Sequence, residues 1–223
     1  PSCITVVGIF CCFLAVINAF KGRFDNAVLC VGLAIILDGL DGRVARRLIA
    51  TSSFGREFDS MSDLVAFGVA PAILVYSWAF VPHAADIGVL ISFTFVVCGA
   101  TRLARFNIHS EEKPSKHFQG LPIPGAAAAI ASVIYLHPTP LENPFARAGM
   151  ALYMLFVAVM MVSNFSYFSV KHIKLGAHPP KLLLLLSLSV ALTWYNSKVM
   201  LLVFTTFYVL SGPLDYFLAK KKA

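Results

Sequence analysis

Residues 38–63 read DGLDGRVARRLIATSSFGREFDSMSD, and this stretch carries four aspartates beside long apolar runs: Asp38, Asp41, Asp59 and Asp63. Carboxylates next to membrane-entering segments are costly, so they indicate a functional site. The first two aspartates are spaced i, i+3 and the last two i, i+4, and either spacing puts both side chains on one face of a helix. Two such helices packed together would bring four carboxylates to one point. Oxygen ligands of this kind suit divalent cations, and on formal charge four carboxylates balance two ions.

The rest of the chain is apolar: of its 223 residues, 58% are hydrophobic and 13% are charged. A soluble core of this size does not need that composition, whereas apolar runs of about 17–25 residues cross a bilayer as helices. The chain lacks the alternating pattern that is typical of a β-barrel. The sequence therefore predicts an all-α, polytopic membrane bundle in a single domain, residues 1–223.

About eight transmembrane helices are predicted, because polar or proline-containing breaks divide the chain into that number of hydrophobic segments. The segments are 2–20, 26–50, 55–80, 86–107, 121–136, 148–165, 181–195 and 198–218. Tyr76 and Trp78 lie near the far end of the third segment, where they are predicted to join an interfacial aromatic belt.

The basic residues predict the orientation. An even number of segments puts both termini on one side, and 14 of the 18 Lys and Arg residues then lie at that side. The other side holds only Lys21, Arg23, Arg147 and Lys198. By the positive-inside rule the richer side is cytoplasmic, and the aspartates face it. The net charge of +7 thus indicates membrane topology and no nucleic-acid partner.

The spacing Asp-x2-Asp-Gly-x2-Ala-Arg-x8-Gly-x3-Asp-x3-Asp resembles the signature of the CDP-alcohol phosphotransferase family, and all eight fixed positions match. The resemblance implies a membrane enzyme in which an alcohol attacks the β-phosphate of a CDP-linked lipid and CMP leaves. It implies that the four aspartates bind two divalent ions, Mg2+ or Mn2+, and that Asp63 also takes the alcohol proton. A carboxylate beside such an ion is normally held anionic, which makes Asp63 a weak base by proton affinity alone. Members are commonly homodimers.

The same resemblance assigns a CDP-diacylglycerol site to six residues: Gly42, Ala45, Arg46, Gly55, Ser52 and Thr5. Arg46 offers a guanidinium fork for phosphate oxygens, and the two glycines let a ligand approach closely. Two of the six have a structural alternative, because Ser52 can instead cap a helix and Thr5 can instead serve helix packing.

A second block reads CGATRLARFN at 98–107 and FQGLPIPGAA at 118–127, and it resembles the phosphatidylserine synthase branch of the family. This resemblance implies L-serine as the acceptor alcohol, and it makes residues 1–170 a six-helix core and 171–223 a two-helix extension. Arg102 and Arg105 lie one helical turn apart, and at least one would bind the serine carboxylate or the lipid phosphate. Alternatively, both arginines only anchor the helix among membrane lipids at the bilayer surface.

Two other functions stay open. The same chemistry could use glycerol 3-phosphate or an inositol phosphate as the acceptor, because Arg102 and Arg105 could bind an additional phosphate. A divalent-cation transporter would use the aspartates as its pathway. Such a pathway predicts acidic residues across the whole bilayer, whereas the acidic cluster lies with arginines toward one side. For an enzyme of a bacterium, the membrane would be the inner, cytoplasmic one.

Overall fold

A computed structural model describes residues 2–48, 53–81, 83–110, 117–168, 187, 192–193 and 195–220, and these residues form a bundle of helices. The helices are α1 (Ser2–Phe20), α2 (Phe24–Leu48), α3 (Ser53–Asp63), α4 (Ala70–Val75), α5 (Ala85–Ser110), α6 (Ile123–Leu136), α7 (Pro144–Val162) and α8 (Ser197–Lys220). α3 and α4 belong to one continuous rod, because π-helical turns follow each of them, at Leu64–Val69 and Tyr76–Phe80.

Several of the described helices can cross a membrane, which confirms the predicted all-α membrane fold. Five are long and apolar enough: Cys3–Phe20, Glu57–Phe80, Ala85–Ile108, Pro144–Val162 and Ser197–Tyr216. The predicted number of eight is not confirmed. α6 is apolar but has only 14 residues, and α2 ends in a charged stretch. Most of the predicted segment 181–195 lies outside the described residues.

Small side chains let α1 and α2 pack closely as an antiparallel pair. Cys12 and Ala15 on α1 and Ala27 and Ala34 on α2 are fully or almost fully buried. Small residues allow helix backbones to approach, which is how helices associate in lipid, where burial of apolar surface gives little driving force. The turn between the two helices closes at Gly22, whose φ of +67° suits a residue without a Cβ.

A short antiparallel ribbon joins β1 (His117–Gln119) to β2 (Ser166–Phe168), and the sequence did not predict it. Gly120 follows β1 with a φ of +76°, and its N–H donates to the carbonyl of Phe165 at 2.9 Å. The N–H of Leu121 donates to the carbonyl of Met160 at 3.0 Å. These bonds hold the start of α6 against the end of α7.

The aromatic-belt prediction is wrong for Trp78, which is 1% exposed. Its indole N–H donates to the main-chain carbonyls of His137 and Thr139, at 3.0 and 2.7 Å. A buried indole N–H needs an acceptor, and the loop between α6 and α7 supplies two. Trp78 therefore fixes this loop rather than sitting at the lipid surface, while Tyr76 is half-buried.

The start of α1 and the end of α8 lie at the same end of the described bundle. Thr5 on α1 bonds Asp41, near the end of α2. The ring of Tyr216 on α8 meets that of Phe165, next to β2, at 5.4 Å between centroids.

Candidate metal centre and active site

Three aspartates from two helices converge at this end of the bundle. Asp38 comes from α2, whereas Asp59 and Asp63 come from α3, one helical turn apart. Each offers a carboxylate oxygen, and these three oxygens lie within 4.8 Å of one another. The i, i+4 spacing of Asp59 and Asp63, and the position of Asp38 on the same cavity, thus give the clustering that the sequence pattern indicates.

The fourth aspartate, Asp41, lines the same small cavity but is more deeply buried, at 5% exposure. Its Oδ2 accepts a hydrogen bond from the hydroxyl of Thr5, while its Oδ1 is buried and has no hydrogen-bond partner among the described residues. A buried carboxylate oxygen without a partner is costly. Asp41 therefore has one oxygen held by the protein and one left for a ligand.

These residues fit a divalent cation. Four carboxylates around one cavity repel one another unless positive charge is added. All offer hard oxygen donors, the ligand type that suits Mg2+ and Mn2+. The buried Oδ1 of Asp41 is a further oxygen that can bind a cation, because no hydrogen-bond donor among the described residues reaches it. The donor set thus supports the predicted class of cofactor.

Local contacts tie α3 to its neighbour α5. Ser60 and Asn107 bond side chain to side chain, with Asn107 Nδ2 donating to Ser60 Oγ at 3.0 Å. Ser62 is buried and donates to the carbonyl of Phe58 within its own helix, at 2.6 Å. The first π-helical turn begins directly after Asp63. These contacts hold the C-terminal half of α3, which carries Asp59 and Asp63.

The residues predicted to bind the CDP-linked lipid are only partly described. Thr5 lines the aspartate cavity, and Gly55 is half-buried on α3, one turn before Asp59. Three others are part of α2, but the structure describes only their backbone: Gly42, Ala45 and Arg46. Ser52 lies outside the described residues altogether.

The side chains of the two arginines that were predicted to bind an anion make different contacts. Arg102 is only 8% exposed and interacts electrostatically with Asp63, and its guanidinium lies over the ring of Phe106, 5.3 Å from the centroid. Its Nε is buried and has no hydrogen-bond partner among the described residues. Arg105 instead donates from Nη1 to the carbonyl of Val162 at 3.0 Å and to Asn164 Oδ1 at 3.2 Å. Arg102 thus belongs to the aspartate centre, whereas the described bonds of Arg105 join α5 to the end of α7.

One residue of this centre was not anticipated. Ser62 of α3 is buried and lines the aspartate cavity. A serine between two aspartates in the chain carries no signal that distinguishes it from any other polar residue of a helix.

A cavity of about 920 Å³ lies at the opposite end of the described bundle. Trp78, Tyr153 and the loop between α6 and α7 line it, and none of the predicted site residues does.

The bundle and its centre define a class: polytopic helical membrane proteins with an aspartate-lined metal centre at one end. Within this class the particular family is shown by comparison, because the family model described as CDP-alcohol phosphatidyltransferase matches residues 1–162. The chain belongs to this family.

Individual relatives extend the similarity to almost the whole chain. A CDP-diacylglycerol–serine O-phosphatidyltransferase of Helicobacter pylori is 36% identical over 218 residues, covering 97% of this chain and 90% of that protein. The protein of the same name from Bacillus subtilis is 39% identical over 139 residues, 61% of this chain and 76% of that one. An archaetidylserine synthase of Methanothermobacter thermautotrophicus is 36% identical over 169 residues, 75% of this chain and 68% of that protein.

Proposed function

We propose that this protein transfers a phosphatidyl group from CDP-diacylglycerol to L-serine and releases phosphatidylserine and CMP. The observation that carries the proposal is the clustering of Asp38, Asp59 and Asp63, in the spacing of the family signature, beside the buried Arg102. Relatives whose names specify serine transfer, one of them similar over 97% of this chain, support serine as the acceptor.

The four aspartates are the proposed metal ligands: Asp38, Asp41, Asp59 and Asp63. We propose two ions, Mg2+ or Mn2+, since two would balance four carboxylates. When bound, such ions neutralise negative charge on the pyrophosphate of the CDP-linked lipid and on the groups around the phosphorus. The unpartnered Oδ1 of Asp41 and the close approach of the other three carboxylates support this assignment.

The reaction is a displacement at phosphorus. The hydroxyl oxygen of serine forms a bond to the β-phosphorus of CDP-diacylglycerol, and the bond from that phosphorus to the oxygen that bridges to CMP breaks. CMP leaves with the bridging oxygen, and Asp63 takes the hydroxyl proton. Asp63 is half-buried, belongs to the carboxylate cluster and interacts electrostatically with Arg102, which supports this role.

Arg102 is the proposed anion contact. Arg102 is buried, its charge interacts with that of Asp63, and its Nε lacks a partner among the described residues. Buried charges need partners, and a guanidinium recognises carboxylates and phosphates well. A serine molecule with its carboxylate on Arg102 would point its hydroxyl toward Asp63. Of the two predicted arginines we choose Arg102, because the described bonds of Arg105 join α5 to the end of α7.

The lipid substrate occupies the other side of the aspartates in this proposal. Six residues are assigned to it by family resemblance: Gly42, Ala45, Arg46, Gly55, Ser52 and Thr5. Most belong to the end of α2 or the start of α3, close in sequence to the metal ligands. The position of Thr5 on the aspartate cavity supports its inclusion, although its bond to Asp41 also gives it a structural role.

We further propose that the site faces the cytoplasm, in the cytoplasmic membrane if the source is bacterial, and that the protein is a homodimer. The distribution of basic residues supports the orientation. Residues 1–170 would be the catalytic core and 171–223 its extension. α8 packs against α6 and β2, so the described part of the extension lies directly against that core.

The direct test measures CMP release by the purified protein in detergent micelles or nanodiscs. CDP-diacylglycerol and Mg2+ or Mn2+ are supplied with and without L-serine, and phosphatidylserine is identified by mass spectrometry. We expect CMP release to depend on both the metal and serine.

The same assay separates the alternatives. If glycerol 3-phosphate or an inositol phosphate supports faster CMP release than serine, the acceptor is wrong but the chemistry stands. If no alcohol supports CMP release, while the protein carries Mg2+ or Mn2+ into liposomes, the transporter alternative replaces the enzyme.

A further inference from the structure

We propose that Cys12 of α1 is a positioning residue. It supplies a hydrogen-bond donor that Pro71 removes from the π-helical turn after Asp63, and it thereby keeps the aspartates of α3 directed at the metal centre. The inference rests on the proposed function, because it assigns this turn a part in the geometry of the metal ligands. Neither Cys12 nor Pro71 belongs to the signature at 38–63. Both are buried in the described bundle.

The carbonyl of Ala66, inside this turn, lacks both of its regular backbone donors. In an α-helix it would accept from the N–H four residues later, and in a π-helix from the N–H five residues later. The first of these belongs to Ala70, which donates to Val65 instead. The second position is Pro71, which has no N–H. A buried carbonyl without a donor is costly, so a donor from outside the helix stabilises the turn.

Cys12 is that donor. Its Sγ lies 3.5 Å from the carbonyl oxygen of Ala66, a separation that suits an S–H···O hydrogen bond. The thiol is fully buried, so the bond is shielded from water. The contact joins α1 to the turn across more than fifty residues of sequence.

The same face of α1 also reaches the other half of the metal centre. Thr5 lies seven residues before Cys12, which is two helical turns along one face, and its hydroxyl bonds Asp41 of α2. Ala66 itself lines the aspartate cavity, and the turn begins directly after Asp63. One face of α1 therefore contacts both an aspartate of α2 and the turn that follows the aspartates of α3.

Loss of the thiol donor would change the bonding of the turn. The Ala66 carbonyl would then compete for the N–H of Ala70, which is the α-helical bond. Relaxation toward that bond moves α3 relative to the helix beyond the turn. Carboxylate oxygens of Asp59 and Asp63 now lie within 4.8 Å of one from Asp38. A shift of α3 spreads these oxygens and weakens their hold on a cation.

Simple packing is the competing explanation for a buried cysteine, and two substitutions separate it from the positioning role. Cys12→Ala removes the donor, whereas Cys12→Ser keeps one. Cys11→Ala is the matched control, because Cys11 is a buried thiol at the neighbouring position of α1. The full-length protein in detergent is titrated with Mn2+ alone, and binding is followed by electron paramagnetic resonance. The melting temperature and kcat are measured on the same samples.

We expect Cys12→Ala to weaken Mn2+ binding about three- to tenfold, the effect of losing one neutral hydrogen bond. Its kcat should fall as well, because the carboxylates no longer hold the ions in place. Cys12→Ser should bind Mn2+ like wild type. Cys11→Ala should lower the melting temperature through lost packing but leave the Mn2+ affinity unchanged.

Pro71→Ala gives an independent test, since it restores the backbone N–H whose absence makes the thiol necessary. In a Pro71→Ala background, Cys12→Ala should have no further effect on Mn2+ affinity. The same background keeps the test decisive if Cys12→Ala alone does not fold, because the double variant should then fold. Failure to fold in both backgrounds, with Cys11→Ala folded, would mean that Cys12 only packs.

The remaining outcomes separate this inference from the proposed function. If Cys12→Ala binds Mn2+ as Cys11→Ala does, Cys12 only packs, and the metal centre stands. If Cys12→Ser weakens Mn2+ binding as much as Cys12→Ala does, or if the effect of Cys12→Ala is unchanged by Pro71→Ala, the donor is not what matters and the positioning role is wrong. A wild-type protein that binds no Mn2+ and releases no CMP would overturn the proposed function itself.

Discussion

The phenol of Tyr167 on β2 donates a hydrogen bond of 3.0 Å to the main-chain carbonyl of Val209, in the middle of α8. In a regular α-helix that carbonyl accepts from the N–H four residues later. Residue 213 is a proline, which has no N–H, so Tyr167 supplies the missing donor. Gly212 makes room, because a Cβ there would lie 2.5 Å from the Tyr167 ring.

We expect Tyr167→Phe to destabilise the protein by about 1–3 kcal/mol, because it leaves the Val209 carbonyl buried without a partner. The measurement is the thermal or denaturant midpoint in detergent. In a Pro213→Ala background the helix regains its own N–H, so the cost of Tyr167→Phe should fall markedly. An equal cost in both backgrounds would mean that the phenol stabilises α8 in some other way.

The ionisation of Tyr167 should also make the free energy of unfolding depend on pH. Burial raises the pKa of Tyr167 to about 12, and the neighbouring Tyr208 adds to the rise. The folded state therefore binds this proton more tightly than the unfolded state, in which the pKa is near 10. The contribution of Tyr167 to the free energy of unfolding should be constant below about pH 9 and fall as the pH rises past 10. Tyr167→Phe should flatten this alkaline decline in the stability profile.

Asp59→Asn tests the metal centre. It removes one charge from the carboxylate cluster while keeping the size of the side chain. We expect kcat to fall by about a hundredfold or more, because weakened charge stabilisation at a metal clamp costs several kcal/mol in the transition state. Glu57→Gln is the matched control, since Glu57 is exposed on the same helix and outside the cluster. Near wild-type turnover of Asp59→Asn at saturating Mg2+ would contradict the metal-ligand assignment.

Thr5→Val tests whether the hydrogen bond from the Thr5 hydroxyl orients the Asp41 carboxylate. Valine has the shape of threonine without the hydroxyl, so Asp41 Oδ2 loses its donor from α1. We expect the Mg2+ concentration needed for half-maximal activity to rise by about one to two orders of magnitude, the effect of one hydrogen bond to a charged group. Thr5→Ser keeps the hydroxyl and should restore the wild-type metal dependence. If both variants show the same metal dependence, the bond does not orient Asp41.

Replacing Arg102 and replacing Arg105 by alanine should have different effects. Arg102→Ala should raise the KM of serine or of CDP-diacylglycerol by about one to two orders of magnitude, because a charge-assisted contact contributes roughly 1.5–3 kcal/mol. Arg105→Ala should mainly lower the melting temperature, because its bonds to Val162 and Asn164 join α5 to α7. Asn164→Ala should reproduce part of that loss of stability. The reverse pattern, with Arg105→Ala affecting KM and Arg102→Ala affecting only stability, would exchange their roles.

Gly120→Ala should be strongly destabilising, by more than about 2 kcal/mol. Gly120 has a φ of +76°, and a Cβ there would lie 2.2 Å from the carbonyl oxygen of Met161. Gly149→Ala is the control, since a Cβ at that position on α7 meets no atom within 4 Å. Equal melting temperatures for the two variants would show that the junction between β1 and α6 tolerates a side chain.

The sequence predicted the helical membrane fold and the convergence of aspartates for physical reasons that act locally. Apolar segments of sufficient length must be helical in lipid, and carboxylates at i, i+3 or i, i+4 must share a helix face. Helical spacing puts Asp59 and Asp63 on one face of α3, and the packing of the helices then brings a carboxylate oxygen of Asp38 on α2 within 4.8 Å of theirs.

Contacts between distant segments were not predictable in the same way. Arg102 and Arg105 differ by only about 60° around the helix axis, yet one meets the aspartate centre and the other meets α7. The partner that each arginine meets depends on which element packs against that side of α5. The ribbon of β1 and β2 pairs two three-residue strands almost fifty residues apart, too short for a sequence pattern. Trp78 has the amphipathic ring of a belt residue, and only the nearby loop explains its burial.

The π-helical turn Leu64–Val69 starts one residue after Asp63. It sets the angle about the helix axis between the two aspartates before it and the buried side chains after it. A π-type turn carries an additional residue compared with an α-helix, and each residue advances the helix by about 100°. Upstream of the turn the helix presents Asp59 and Asp63 to the cavity, and downstream it presents Leu74 and Trp78 to the interior. Removing one residue from the turn would leave the downstream packing in register while swinging both carboxylates about a quarter-turn away from α2. The number of residues between the carboxylates and the buried core is therefore fixed to the single residue.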